Sequence, residues 1–347
     1  MNQKPMRYRP VNRSNAEERN KRLEQIKYVK LIVVVQLALL ALVYMFLLTS
    51  TLACDNNQKP TGDPSLSGSP SDSSSSSELN SGSDSESSSN ISPDGIVYTH
   101  VEKPFADTQK GILVLIDNDH HYAFTDTLGF IDIRDNRPVN AANMKLYQMN
   151  AWTMHLRTDA FSAMNELITK HYANAEGQDI LLAYAYRSFD EQKLLYEANP
   201  NSAAAPGASD YHSGYSFALQ PLNGKTDTFN AMLQDLHEYG IIQRYPASKA
   251  DITGINYDLN HYRFVGIPHA YIMNEYDYCL EQYLDYVKGH PFDGEHIKFS
   301  TDSSDAYEIY YVAASTEGMT RVPVPQNEEY TISGDNMGGF IVCVKTK

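Results

Sequence analysis

Residues Ile180 to Ala198 read ILLAYAYRSFDEQKLLYEA, a run whose character changes at its middle. Ile180–Tyr186 is short and strongly apolar and predicts a buried strand; Asp190–Ala198 predicts a helix. Upstream, apolar residues recur at three- and four-residue steps (Met144, Tyr147, Met154, Phe161, Met164, Leu167, Ile168), which predicts one long helix over 143–172. Further back, Gly111–Ile116 reads as a strand ending at the polar Asp117-Asn118-Asp119. Downstream, 227–239 predicts a helix, 256–266 a strand with alternating aromatics, and 269–287 another helix. Strands and helices mixed in this order predict an α+β domain over 96–287. No internal repeat is present.

After Val287 the texture changes. Lys288–Gly294 reads as a connector, and 308–312, 320–324, 330–333 and 340–344 read as short strands rich in Val, Ile and Tyr. A β unit over 288–347 is too small for an independent core, so it is expected to pack on the preceding domain. Its tyrosines fit either a carbohydrate-contacting face or ordinary sheet packing. Cys279 and Cys343 are expected as two small buried residues, although one bridge between them is conceivable.

Charge organises the other end. The chain carries a formal net charge of −15, yet residues 1–30 hold nine basic against three acidic side chains. The remainder is strongly acidic, which argues against a nucleic-acid partner. From Leu31 to Cys54 no residue is charged, and 31–50 is long and apolar enough to predict a transmembrane helix. Lys27 and Lys30 flank its start, so residues 1–30 are expected in the cytoplasm and the rest outside, on a single-pass anchor in the cell membrane. The alternative is a lipoprotein anchored at Cys54, since Thr51-Leu52-Ala53-Cys54 loosely resembles a cleavage site. Residues 55–95, dominated by Ser, Asp, Gly, Asn and Pro, are expected to be a disordered linker. A flexible coil of that length reaches about 35 Å root-mean-square.

The candidate chemistry lies among His, Asp, Arg and Ser in three places. The first is Ala185-Tyr186-Arg187-Ser188, followed by Gln192. The second is the run Ser209-Asp210-Tyr211-His212-Ser213-Gly214-Tyr215-Ser216-Phe217-Ala218. The third runs from Arg244-Tyr245-Pro246, through Lys249 and Thr253–Tyr257, to Asp258-Leu259-Asn260-His261-Tyr262-Arg263-Phe264-Val265-Gly266. Over about 108–287 this order of elements resembles the VanY-type zinc D-alanyl-D-alanine carboxypeptidases of bacterial cell-wall (peptidoglycan) metabolism.

The resemblance implies a zinc held by the His and Asp of S-x-H-x-x-G-x-A-x-D and by the His of E-P-W-H, whose Glu is the general base. Three ligands would leave zinc one position for an activated water. It also implies that Arg187 holds the substrate's charge or the developing oxyanion, with Ser188, Gln192 and Ser209 as further substrate-binding positions. Laid on this chain, the pattern is degenerate. With Ser209 and Gly214 in register, Tyr211 stands at the histidine-ligand position and Ala218 at the aspartate-ligand position. His261 remains as a ligand position, and Asp258 stands for the glutamate with a side chain one methylene shorter.

No cofactor is therefore expected, although zinc belongs to the family. A rearranged metal set of His212, Asp258 and His261 would need a bulge to swing His212 inward; otherwise His212 reads as a surface or rim residue. His120, His121 and His269 have no ligand spacing and are expected to be structural. Three functions stay open. One is a non-catalytic module binding peptidoglycan stem peptide or D-Ala-D-Ala termini. The second is an active zinc D,D-carboxypeptidase removing the terminal D-Ala, and the third is a scaffold for wall-associated partners.

Overall fold

The computed structural model describes residues 96–346, apart from 125–128, 176, 256–257 and 302–304. The basic segment, the predicted span, Cys54 and the Ser-rich linker lie outside the described residues, as do Asn256 and Tyr257. Among the described residues no helix is long and apolar enough to cross a membrane.

The centre of the fold is a five-stranded sheet. Its strands, in spatial order, are Gln148–Met149, Ile180–Tyr184, Ser216–Pro221, Asp258–Phe264 and Ile241–Tyr245. Only the first pairing is parallel. The helix Thr158–Tyr172 lays Phe161, Met164, Leu167 and Ile168 on this sheet, against Leu182, Phe217, Leu219 and Tyr262. That face recurs at helical spacing, which is why this part of the periodic pattern is a helix.

The helix starts at Thr158, however, and not near Asn143. Met144, Tyr147 and Met154 mimic the period, but the chain turns at Asn143 (φ +60°) and then forms the short strands Gln148–Met149 and His155–Arg157. Tyr147 and Met154 are buried from irregular backbone. Gly111–Ile116 is likewise no strand. Leu113 to Ile116 are almost completely buried, but the Leu113 and Leu115 N–H groups donate to the Ser333 hydroxyl and the Asp335 carbonyl, and the Val114 and Leu115 carbonyls accept from Arg263 and Asn336, instead of a ladder. Gly111 sits at φ +119°, where a Cβ would lie 2.8 Å from the Ser333 backbone. A fully buried apolar run carries no periodicity to distinguish these cases. The helix expected over 269–287 is two, Ile267–Glu275 and Leu280–Lys288, parted where Asp277 takes φ +52°.

The C-terminal strands form a four-stranded antiparallel sheet in the order Glu329–Gly334, Gly339–Lys345, Ala306–Ala313, Ile297–Ser300. The fourth, Ile297–Ser300, was not expected. The first described strand, Tyr98–Pro104, pairs with Met319–Pro325 over seven positions. One apolar cluster joins Ile309, Tyr311 and Ile341 of this sheet to Ala270, Met273, Tyr283 and Val287 of the two helices. The C-terminal unit thus buries its apolar face on the preceding part. Cys279 and Cys343 are both buried and free.

Candidate functional site

The site is built where two neighbouring strands of the central sheet meet a turn and a helix. Ser216–Pro221 and Asp258–Phe264 pair antiparallel, with Ala218 directly opposite His261. The turn Asp210–Ser213 precedes the first of these strands and is closed by Gly214 at φ +71°. A Cβ there would fall 2.4 Å from the Phe130 ring, so the turn demands glycine on both conformational and steric grounds.

This turn swings Tyr211 over His261. The two rings stack at 4.3 Å between centroids and 23° between planes. Tyr211 is 8% exposed and forms a small apolar cluster with Ala183 and Ala218. The two residues at the ligand positions are thus in contact with one another's neighbourhood and fill it with carbon. The Arg187 guanidinium carbon lies 4.9 Å from the Tyr211 ring centroid.

Beside this plug runs a cleft of about 380 Å³ lined by Arg187, Gln192, Ser209, Tyr211, Asp258 and His261, among others. The sequence-derived substrate and ligand positions therefore converge, apart from Ser188. Ser188 is the N-cap of the helix Phe189–Ala198, in a reciprocal capping box with Glu191, and does not line the cleft. Gln192, the one buried residue of that helix, accepts from Arg187 Nη1 at 2.7 Å and donates to the Ala204 carbonyl at 2.6 Å. It orients the arginine across the cleft. Burial lowers the Arg187 pKa from its ordinary value, without the loss of charge that a guanidinium resists.

Asp210 anchors the floor. It is fully buried and accepts hydrogen bonds from Ser216 Oγ and Arg263 Nη1. Arg244 Nε lies 3.7 Å away, and His261 Nε2 lies 3.3 Å from Oδ2, near enough for an ion pair but off hydrogen-bond alignment. Burial alone would raise the Asp210 carboxyl, but Arg263, His261 and Arg244 outweigh it and hold the group well below the usual carboxylate range. Arg244 and Arg263 are themselves fully buried, and Arg244 also forks Glu281 at 2.7 and 3.1 Å. Two arginines inside sheet strands demand buried acids, and that was the available signal for Asp210.

The structure corrects the expectation for His212. It is neither a rim residue nor swung towards His261, but fully buried and spent on the backbone. Its Nε2 accepts from the Gly207 N–H at 3.1 Å, so Nδ1 carries the proton and donates to the Arg187 carbonyl at 2.6 Å. Burial keeps it neutral by lowering its pKa. His269 is buried against the Tyr283 hydroxyl and His120 closes a turn on Asp117, both structural roles. Cleft residues outside the three quoted motifs include Tyr184, Leu195 and Gln220. They carry no chemistry-bearing spacing.

The donor set does not fit the zinc that the resemblance implies. Asp258 Oδ2 lies 3.7 Å from His261 Nδ1, and that imidazole, more than burial, sets the Asp258 carboxyl below its ordinary value. His261 faces Asp258 with one nitrogen and Asp210 with the other, and Asp210 is claimed by arginine. Tyr211 would have to ligate as phenolate, but burial, reinforced by the Asp258 charge, drives its pKa well above 10. Among the described residues, no group of three or more His, Cys, Asp or Glu side chains is placed to hold a metal ion. A zinc centre needs three such donors and an open position.

Comparison with known proteins agrees with this order of elements. The VanY D-alanyl-D-alanine carboxypeptidase family matches over residues 153–267. A D-alanyl-D-alanine carboxypeptidase of Enterococcus faecium is 37% identical over 163 residues, which are 46% of this chain and 52% of that protein. The bifunctional D-Ala-D-Ala dipeptidase and D-Ala-D-Ala carboxypeptidase VanXYC of Enterococcus gallinarum is 30% identical over 130 residues, 32% of this chain and 68% of that protein. The match to the first of these spans about half its length. Among solved structures, the vancomycin-resistance D,D-dipeptidase VanXYg in complex with a D-Ala-D-Ala phosphinate analogue superposes with a TM-score of 0.61 at 25% identity. That superposition covers 72% of this chain and 99% of the other.

Proposed function

Since the chain belongs to the VanY D-alanyl-D-alanine carboxypeptidase family, we propose that it is a non-catalytic member that binds peptidoglycan stem peptide by its D-alanyl end. The observation that carries this reading is the stacking of Tyr211 on His261 beside Ala218, next to a cleft that stays open. Hydrolysis needs an activated water, and two of the three residues that would hold the activating metal are replaced by a phenol and a methyl group. Recognition needs less, and its parts are present. Arg187, held by Gln192, presents a forked cation suited to a terminal carboxylate. The Tyr211 hydroxyl, which has no hydrogen-bond partner among the described residues, borders the same cleft as Ser209.

In this reading the apolar segment 31–50 anchors the protein in the bacterial membrane, and the Ser-rich linker carries the folded part outwards to the wall. An extracytoplasmic position is where a stem-peptide ligand would be met.

The test is binding of a stem pentapeptide ending in D-Ala-D-Ala to the full-length protein in detergent, beside Arg187→Ala. Loss of a charge-assisted bond of about 1.5–3 kcal/mol should weaken binding roughly 10- to 150-fold. Equal affinity of the two proteins would refute use of the cleft and favour the scaffold reading. Release of D-Ala from the peptide, abolished by a chelator, would refute the non-catalytic reading.

A further inference from the structure

The degenerate site leaves one carboxylate without a task. The general-base position serves a metal-bound water, and with a phenol and a methyl group at two of the three ligand positions Asp258 has no such water to serve. It still stands in the cleft as a charge. Its side chain is 46% exposed, and Oδ1 accepts from the Asn260 N–H at 3.2 Å. Oδ2 lies 3.7 Å from His261 Nδ1, beyond a hydrogen bond, and has no other partner among the described residues. Because the His261 imidazole holds the Asp258 carboxyl below its ordinary value, the group is ionised at neutral pH.

Two opposite charges in the cleft thus lack a full partner. Of the two carboxylates lining it, Asp210 is taken by Arg263 and Arg244 in the floor, and Asp258 remains. Arg187 is fixed by the neutral Gln192 side chain and has no ion pair among the described residues.

Tyr211 brings the two charges together. The Arg187 guanidinium carbon is 4.9 Å from its ring centroid, and the ring stacks on His261, whose Nδ1 faces Asp258. Tyr211 is 8% exposed and lines the cleft, and its hydroxyl has no hydrogen-bond partner among the described residues. Burial and the Asp258 charge raise its pKa while the Arg187 charge lowers it, so both charges act on one phenol. The cleft, at about 380 Å³, falls in the range of small-ligand sites, roughly 300–1,000 Å³. A cation and an anion on either hand of an unsatisfied hydroxyl fit a short peptide that carries a carboxylate and an ammonium group, with the phenol left to an amide.

We propose that Asp258 is the ammonium acceptor of the cleft, so that the ligand carries an amine for Asp258 as well as a carboxylate for Arg187. This rests on the D-alanyl reading of the cleft and narrows it. The amine has two sources: the α-amine of free D-Ala-D-Ala, or the side-chain amine of a diamino residue placed before the two alanines in a stem peptide.

The test is calorimetry on the full-length protein in detergent with two matched pairs of peptides. The first pair is D-Ala-D-Ala and acetyl-D-Ala-D-Ala. The second is Nα-acetyl-L-Lys-D-Ala-D-Ala and its Nα,Nε-diacetyl counterpart. Acetylating the amine should weaken binding about fivefold in at least one pair, the size of a partly exposed charge pair. That gap should close in Asp258→Asn and persist in Glu317→Gln, a charge-matched change at an exposed position in the C-terminal sheet's loop. A gap in the first pair alone identifies the free dipeptide, and a gap in the second identifies the stem peptide. No gap in either pair, or a gap that persists in Asp258→Asn, would overturn the proposal; if Arg187→Ala still weakened all four peptides, the cleft reading would survive it. Peptides bound equally by the parent and Arg187→Ala, or not bound at all, would overturn both.

Discussion

Restoring the two missing donors should rebuild a metal centre, and the structure says at what cost. In a Tyr211→His/Ala218→Asp variant, the new aspartate sits at a position 3% exposed, directly opposite His261. Without metal it is an uncompensated buried carboxylate, worth about 3–5 kcal/mol of destabilisation. Replacing the Tyr211 ring removes its stacking on His261 and most of its fill, roughly 1–3 kcal/mol more. At about 2–4 °C per kcal/mol for a domain of this size, the metal-free variant should melt roughly 8–32 °C below the parent. Zinc at a thousandfold excess over its dissociation constant returns about 4 kcal/mol, or roughly 8–16 °C. The assay is thermal denaturation of the full-length chain in detergent, with and without zinc, alongside metal analysis of the dialysed protein. The parent should show no zinc-dependent shift. A variant that melts at one temperature with and without zinc, and retains no metal, would refute the claim that the backbone still presents a ligand arrangement. A parent stabilised as much as the variant would refute the claim that Tyr211 and Ala218 removed it.

Two further outcomes separate structural from binding roles. Ser188→Ala should cost about 1 kcal/mol in denaturant unfolding, the usual value of a lost N-cap, and leave stem-peptide affinity unchanged; a tenfold affinity loss would make Ser188 a ligand contact after all. His296 donates from Nδ1 to Glu308 at 2.6 Å and from Nε2 to the Phe292 carbonyl at 2.7 Å, which requires the imidazolium. Burial would lower its pKa, but Glu308 and the carbonyl outweigh it and the net shift is upward. The stability it contributes is then complete below the ordinary histidine value of about 6.5 and is lost as pH rises through the elevated folded value. Unfolding free energy measured upward from pH 5.5 should fall across that window in the parent and stay flatter in His296→Gln; parallel profiles would exclude this pair as the cause.

Much of the site was legible because spacing survives where chemistry does not. Ser209 and Gly214 keep the distance that places Tyr211 and Ala218, and the structure puts both against His261. Arg187, Gln192, Ser209 and Asp258 reach the same cleft from separate elements. Ser188 read as a contact because it follows Arg187, yet a serine three residues before Glu191 is also a helix cap, and the local interaction prevailed. The burial of Asp210 and His212 leaves no alternating pattern in the sequence. Alternation along an extended strand assigns faces, but a 3-10 turn puts Asp210, Tyr211 and His212 on three different sides, all of them buried. In the wider fold, the periodic run 143–172 hid two short strands, and the apolar run 111–116 is held by Ser333 and Asp335, more than 200 residues away in sequence. Contacts of that range leave no local pattern to read.

The most direct test of the account is the zinc content of the full-length protein, purified in detergent from zinc-supplemented medium without chelators. The account predicts far less than one zinc per chain, because one imidazole and a half-exposed carboxylate do not retain the ion. About one zinc per chain, surviving dialysis, would contradict it.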